Sequence, residues 1–213
     1  MTVRGDWRVY VITDAPRARG RSHLDVGEAA VRGGATALQL RMKDEPARTV
    51  VETARRLASI CRAAGVTFIV NDRVDVAIAA GADGVHVGQD DLPAAAARAV
   101  LGRGPLLGVS AATREEADEA GRAGADYLGV GAVYATATKA DAGAPVGLRR
   151  IEEIRRTTAL PIVGIGGITI ENAAAVIRAG AVGVAVITAV TLADDMVEAT
   201  RRLREHVDAA LLG

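Results

Sequence analysis

The chain has 213 residues, 50% hydrophobic and 24% charged, with Lys+Arg and Asp+Glu equal at 26 each. That length suits one domain, 1–213, with enough chain to close a sheet around a core, and a net charge of zero gives no field to gather a polyanion. One Phe, three Tyr and one Trp supply no platform for stacking the bases of a single strand, so nucleic acid is not an expected partner.

Along the chain, short β-branched runs alternate with longer runs of helical period. "RVYVITD" (8–14) predicts the first strand and "ALQLRMK" (37–43) the second. The helical run "EPARTVVETARRLASICRAAG" (45–65) holds the one cysteine, Cys61, which has no partner for an internal disulfide and reads as a buried core thiol. "TFIVND" (67–72), "GVHVG" (84–88) and "LLGVSA" (106–111) predict strands three to five. The helix "TREEADEAGRAG" (113–124) leads to "YLGVGAV" (127–133) and "PIVGIGG" (161–167), and the helix "TIENAAAVIRAG" (169–180) to the eighth strand, "GVAVITAV" (183–190). The helical runs stop at or beside glycine, as helix C-termini do. Eight βα units in this length predict an α/β protein of the (β/α)8 TIM barrel class.

An internal repeat supports the count. "GGATALQL" (33–40), "AGADGVHV" (80–87), "AGADYLGV" (123–130) and "AGAVGVAV" (179–186) share one pattern at spacings of 47, 43 and 56 residues. Each reads as a helix end, a tight turn and a strand start, so the period is two βα units and the copies open strands two, four, six and eight. Aligned, they put Leu38/Leu40, Val85/Val87, Leu128/Val130 and Val184/Val186 on the face that surrounding helices cover. The intervening positions then face the barrel interior, with Gln39, His86, Gly129 and Ala185 in one layer and Arg41, Gly88, Gly131 and Ile187 in the next.

Active sites of such barrels gather at the C-terminal strand ends. Those ends read Lys43, "NDR" (71–73), "GQDD" (88–91), Ser110, "TATK" (136–139), "GIGG" (164–167) and "ITA" (187–189), nearly all polar or glycine. Arg41 and Lys43 point inward and need anionic company, because an unpaired buried charge costs several kcal/mol. Ion pairs with Asp side chains meet that need, and so does a bound phosphate or diphosphate. Asp72 and Asp91 close neighbouring strands, where two carboxylates suit a shared hard cation such as Mg²⁺; the alternative is that they cap the helices that follow. Asp90 competes with Asp91 for the same role. "GIGGIT" and "VITAV" stand where barrels hold a phosphate on backbone N–H groups. His86 lies deeper and reads as a hydrogen-bonded core histidine, while His23 and Trp7 receive no role. The N-terminus "MTVRGDWRVY" has no apolar core of a leader, and "AGAVGVAVITAVTLA" is shorter than the ~20 residues of a bilayer span. A cytoplasmic protein without a membrane partner is expected.

"YVITD", "QLRMK", "FIVNDRVDVA", "GADGVHVGQDDLP", "GVSAAT", "GADYLGVGAVYATATK" and "PIVGIGGIT", in this order, resemble the thiamine phosphate synthase family over essentially the whole chain. The resemblance implies a transferase that joins 4-amino-5-hydroxymethyl-2-methylpyrimidine diphosphate to a thiazole phosphate with Mg²⁺, releasing diphosphate. It assigns Gln39, Arg41, Lys43, Asn71 and Lys139 to the pyrimidine diphosphate and Asp72 and Asp91 to the metal. Ser110 falls on a diphosphate-contacting hydroxyl, Thr136 and Thr138 on thiazole phosphate contacts, and Gly167, Ile187 and Thr188 on the thiazole phosphate cradle. Lys139, Arg41, Lys43 and Ser110 form the implied catalytic set. The family often has serine where this chain has Thr188, which keeps the hydroxyl and adds a methyl.

Two other readings compete. A related thiazole tautomerase on the same fold would not need the pyrimidine and metal half, yet "QLRMK", "NDR" and "GQDD" are intact. A non-catalytic phosphate-metabolite binding protein is the other, since a fold alone implies no activity. Either way the partners are small molecules, and assembly into a homo-oligomer is compatible with the sequence.

Overall fold

The computed structural model describes residues 5–136 and 145–213. Its strands are β1 (Val9–Thr13), β2 (Ala37–Leu40), β3 (Thr67–Asn71), β4 (Gly84–Val87), β5 (Leu106–Ala111), β6 (Tyr127–Val130), β7 (Ile162–Ile165) and β8 (Gly183–Val186). All are parallel, paired in chain order, and β8 returns to β1, so the sheet closes as the (β/α)8 TIM barrel expected from the sequence. The helices are α1 (His23–Arg32), α2 (Ala47–Ala64), α3 (Val74–Ala80), α4 (Ala94–Leu101), α5 (Arg114–Arg122), α6 (Gly147–Arg155), α7 (Ile170–Arg178), α8 (Thr188–Thr191) and α9 (Met196–Leu212). Gly65 and Gly81 end α2 and α3 at φ 69° and 66°, the left-handed conformation that glycine takes without a Cβ penalty.

The repeat has a structural purpose at the N-terminal face. Thr36, Asp83, Asp126 and Val182 occupy one position in its four copies, and their backbone N–H groups donate to the carbonyls of Val9, Phe68, Leu107 and Ile162 at the starts of the preceding strands. In three copies the side chain returns the bond: Thr36 Oγ1 accepts from Val9 N at 3.0 Å, Asp83 Oδ2 from Phe68 N and Asp126 Oδ2 from Leu107 N at 2.8 Å. Each clasp satisfies a backbone N–H within the first two residues of its strand.

Two apolar layers result. The outward residues of the repeat, Leu38, Leu40, Val85, Val87, Leu128, Val130, Val184 and Val186, are buried between strands and helices together with Cys61, whose thiol burial pushes up to about 12. Inside the barrel, Trp7 stacks on Tyr127 at 3.9 Å between ring centroids and packs beside Tyr10, forming a plug beneath the mouth. His23 also has a partner, with Nδ1 2.8 Å from Thr13 Oγ1.

Some strands are shorter than the sequence suggests. β2 stops at Leu40, which pairs with Thr13, the last residue of β1, on one side and with Val70 on the other. Arg41 and Lys43 therefore stand just past the strand, yet alternation persists, since Met42 packs on the outer core while Arg41 and Lys43 border the mouth. The run read as an eighth strand through Val190 bends after Val186 into the single turn of α8.

Candidate active site

The C-terminal mouth opens into a cavity of about 350 Å³. Both interior layers expected from the repeat border it: Gln39, His86, Gly129 and Ala185 below, Arg41, Gly88, Gly131 and Ile187 above. Asn71, Asp72, Asp91, Ser110, Thr136, Gly167 and Thr188 border the same space. Thr138 and Lys139 lie outside the described residues.

Arg41 and Lys43 both have carboxylate partners. Arg41 Nη1 donates to Asp14 Oδ2 at 2.8 Å, and Asp14, only 1% exposed, takes a second guanidinium from Arg17 at 3.1 Å. Lys43 Nζ lies 3.2 Å from Asp72 Oδ2. One buried carboxylate thus holds two cations, of which Arg41 borders the cavity.

Asp72 has φ 62°, a left-handed conformation that Asp and Asn tolerate better than other side chains, and its N–H donates to the His86 carbonyl at 2.8 Å. Burial, reinforced by the adjacent Asp91 carboxylate, holds its carboxyl above the usual range, and Lys43 offsets this only in part. Asp91 Oδ2 accepts from Gly88 N at 2.7 Å, which fixes the turn after β4. Neither caps the following helix: the N-cap of α3 is Arg73 and that of α4 is Pro93. The pair therefore faces the mouth, two carboxylates in contact beside one ammonium. Among the described residues no group of three or more His, Cys, Asp or Glu forms a metal cage, so a cation here would take the rest of its ligands from substrate and water. Mg²⁺ binds in this way.

On the far side, Gly166 and Gly167 turn at φ 96° and 64°. A Cβ on Gly167 would overlap the Ala135 carbonyl and the Tyr134 Cβ, so glycine lets the segment leading to Thr136 lie against β7. Ile187 and Thr188 open α8 beside them, after the neighbouring strand β8, and the two turns make a cradle rich in backbone.

The family pattern described as thiamine monophosphate synthase matches residues 9–190. The chain belongs to the thiamine monophosphate synthase family. Relatives named thiamine-phosphate synthase are 57% identical in Chloroflexus aurantiacus, over 95% of this chain and 93% of the relative, and 53% identical in Moorella thermoacetica, over 96% and 97%. The solved thiamine phosphate pyrophosphorylase from Pyrococcus furiosus superposes with a TM-score of 0.90 at 40% identity, covering 97% of this chain and 98% of that one.

In this thiamine monophosphate synthase family member, sequence reasoning passed over several residues that shape the site. Asp14 directly follows β1, so reading strand ends from the first strand as well as from the later seven would have found it. His86 is hydrogen-bonded, as expected of a core histidine, but its Nε2 is 3.0 Å from Ser110 Oγ and it borders the cavity. Tyr10 and Tyr127 lie within the motifs "YVITD" and "GADYLGVGAVYATATK" but receive no role there, and their contact shows only in the packing.

Proposed function

We propose that the two halves of the mouth bind the two substrates of thiamine phosphate synthesis, the pyrimidine diphosphate over Arg41, Lys43, Asp72 and Asp91 and the thiazole phosphate over Gly167, Ile187 and Thr188. Family membership makes the chain an enzyme, a transferase of thiamine biosynthesis acting on small molecules. The observation that carries the assignment is the Asp72–Asp91 contact beside Lys43: like charges are held together where an anionic substrate and a cation would balance them.

In this reading the C–O bond between the pyrimidine methylene and diphosphate breaks, its electron pair leaves with the diphosphate, and the thiazole nitrogen lone pair forms the new C–N bond. Arg41, Lys43 and Lys139 meet the growing negative charge, an electrostatic contribution that is often the largest in catalysis. Gln39 and Asn71 orient the pyrimidine diphosphate, and Ser110 offers its hydroxyl to the diphosphate. Thr136, Thr138, Gly167, Ile187 and Thr188 hold the thiazole phosphate on hydroxyls and backbone. Asp72 and Asp91 would hold Mg²⁺, which when bound supplies charge to the leaving diphosphate. No protein nucleophile is needed.

Among the described residues no helix is long and apolar enough to cross a membrane, and the same reading places the enzyme in the cytoplasm. A coupled assay for thiamine phosphate, with and without a chelator, tests it. Product that requires both substrates and a divalent metal is expected. Turnover unchanged in excess chelator would remove the metal, and no product from the intact protein would remove the proposal.

A further inference from the structure

Along the floor of the cavity a chain of hydrogen bonds crosses five strands. Gln39 Nε2 donates to the Tyr10 hydroxyl at 2.7 Å, the Tyr10 and Tyr127 hydroxyls are 2.9 Å apart, the Tyr127 hydroxyl is 3.1 Å from His86 Nδ1, and His86 Nε2 is 3.0 Å from Ser110 Oγ. Gly108 makes room for it, because a Cβ there would overlap both the Tyr127 ring and the imidazole. Its two ends, Gln39 and Ser110, are the members that the proposed function assigns to substrate, and Ser110 is the one assigned to the diphosphate.

The chain has a direction. Each phenol carries one hydrogen, and burial pushes both tyrosines above their usual range, so both stay protonated. Tyr10, 2% exposed, already accepts from Gln39. If Tyr127 donated to it as well, the hydrogen of this almost fully buried hydroxyl would be left without a protein acceptor, which native structures avoid. Tyr10 therefore donates to Tyr127, whose own hydrogen is left for His86 Nδ1. A ring nitrogen that accepts leaves the imidazole proton on the other nitrogen.

We propose that Tyr127 and His86 are positioning residues that set which way Ser110 points its hydrogen. His86 carries its proton on Nε2 and donates it to Ser110 Oγ, so the Ser110 hydroxyl keeps its hydrogen as a donor into the cavity. The consequence for catalysis rests on the proposed diphosphate site. Diphosphate oxygens only accept, so a serine that spent its hydrogen on the imidazole would turn a lone pair toward the leaving group.

Two measurements test this. In protein labelled with ¹⁵N-histidine, long-range ¹H–¹⁵N correlation spectra report the tautomer of each of the three histidines, and loss of one signal in His86→Gln assigns His86. The Nε2–H tautomer is expected; the Nδ1–H tautomer would overturn the proposal. The second is a cycle of Tyr127→Phe and Ser110→Ala. Tyr127→Phe should lower kcat roughly ten- to hundredfold when Ser110 is present and by no more than about twofold in the Ser110→Ala background. The same loss in both backgrounds, as from a general packing defect, would overturn it. If the unaltered protein makes no thiamine phosphate while His86 shows Nε2–H, the function falls and the directed chain stands.

Discussion

Asp14 and Arg41 are joined by a 2.8 Å ion pair in which the carboxylate is 1% exposed and the guanidinium 20% exposed. The buried partner supports the one that faces the cavity. Removing its charge leaves Arg41 and Arg17 sharing a neutral group, so Asp14→Asn should raise the KM for the pyrimidine diphosphate about tenfold or more. The KM for the thiazole phosphate should hardly change. Steady-state titration of each substrate checks this, and a lower pyrimidine diphosphate KM would instead show that Asp14 competes with the substrate for Arg41.

Asp72 gives a prediction in which stability and activity move in opposite directions. Its folded-state pKa is raised, first by burial and then by Asp91. A carboxyl of that kind contributes stability that is complete below its unfolded value of about 3.9 and is lost as pH rises through the raised value. At pH 7 without metal, Asp72→Asn should therefore melt above the parent, helped by the ease with which Asn takes φ 62°. The gain should shrink on acidification toward about pH 4. Activity should fall strongly, and Mg²⁺ should raise the Tm of the parent but not of the variant. A variant that melts below the parent at pH 7 would contradict this.

Lys43 pairs with Asp72 from a side chain that is 44% exposed, so its loss should barely move the Tm. In the assay Lys43→Ala should raise the pyrimidine diphosphate KM or lower kcat by roughly ten- to hundredfold, the range for one charge-assisted contact. Thiazole phosphate affinity should be unchanged. If both pyrimidine parameters stayed at parental values, the tautomerase reading would move ahead.

Gly167→Val should damage the other half. The left-handed backbone and the overlap with Ala135 and Tyr134 leave no room for a side chain, so the segment before Thr136 must shift. The expected result is a lower Tm together with a thiazole phosphate KM raised by more than tenfold. Isothermal titration of each substrate separates this from a global loss of binding.

The barrel was legible because the repeat fixes register: once Leu38, Val85, Leu128 and Val184 are aligned, every intervening residue must face inward. The same logic brought Gln39, Arg41, Asn71, Asp72, Asp91 and Ser110 to one mouth. The ion pairing of Arg41 was foreseen in kind but not in partner, since Asp14 lies outside the repeat and 27 residues from the arginine it holds. The Tyr10–Tyr127 contact was invisible for a similar reason: it spans 117 residues and depends on how two rings fill one layer. The turn of α8 was read as strand because a single helical turn is too short to show a period.

The clasps formed by Thr36, Asp83 and Asp126 each lie within one pair of βα units and never bridge two pairs. The four pairs are thus modules fastened within themselves at the end away from the chemistry, the fourth by the Val182–Ile162 backbone bond alone, while the Thr36 and Asp83 carbonyls tie the first three together by accepting from Thr67 N and Leu106 N. Each module can exchange the residues at its open end, as Gln39, His86, Gly129 and Ala185 show within a single layer, without disturbing the fastening that keeps it in place. Heredity can therefore edit the mouth one module at a time, and chemical diversity among barrels of this construction needs no new scaffold.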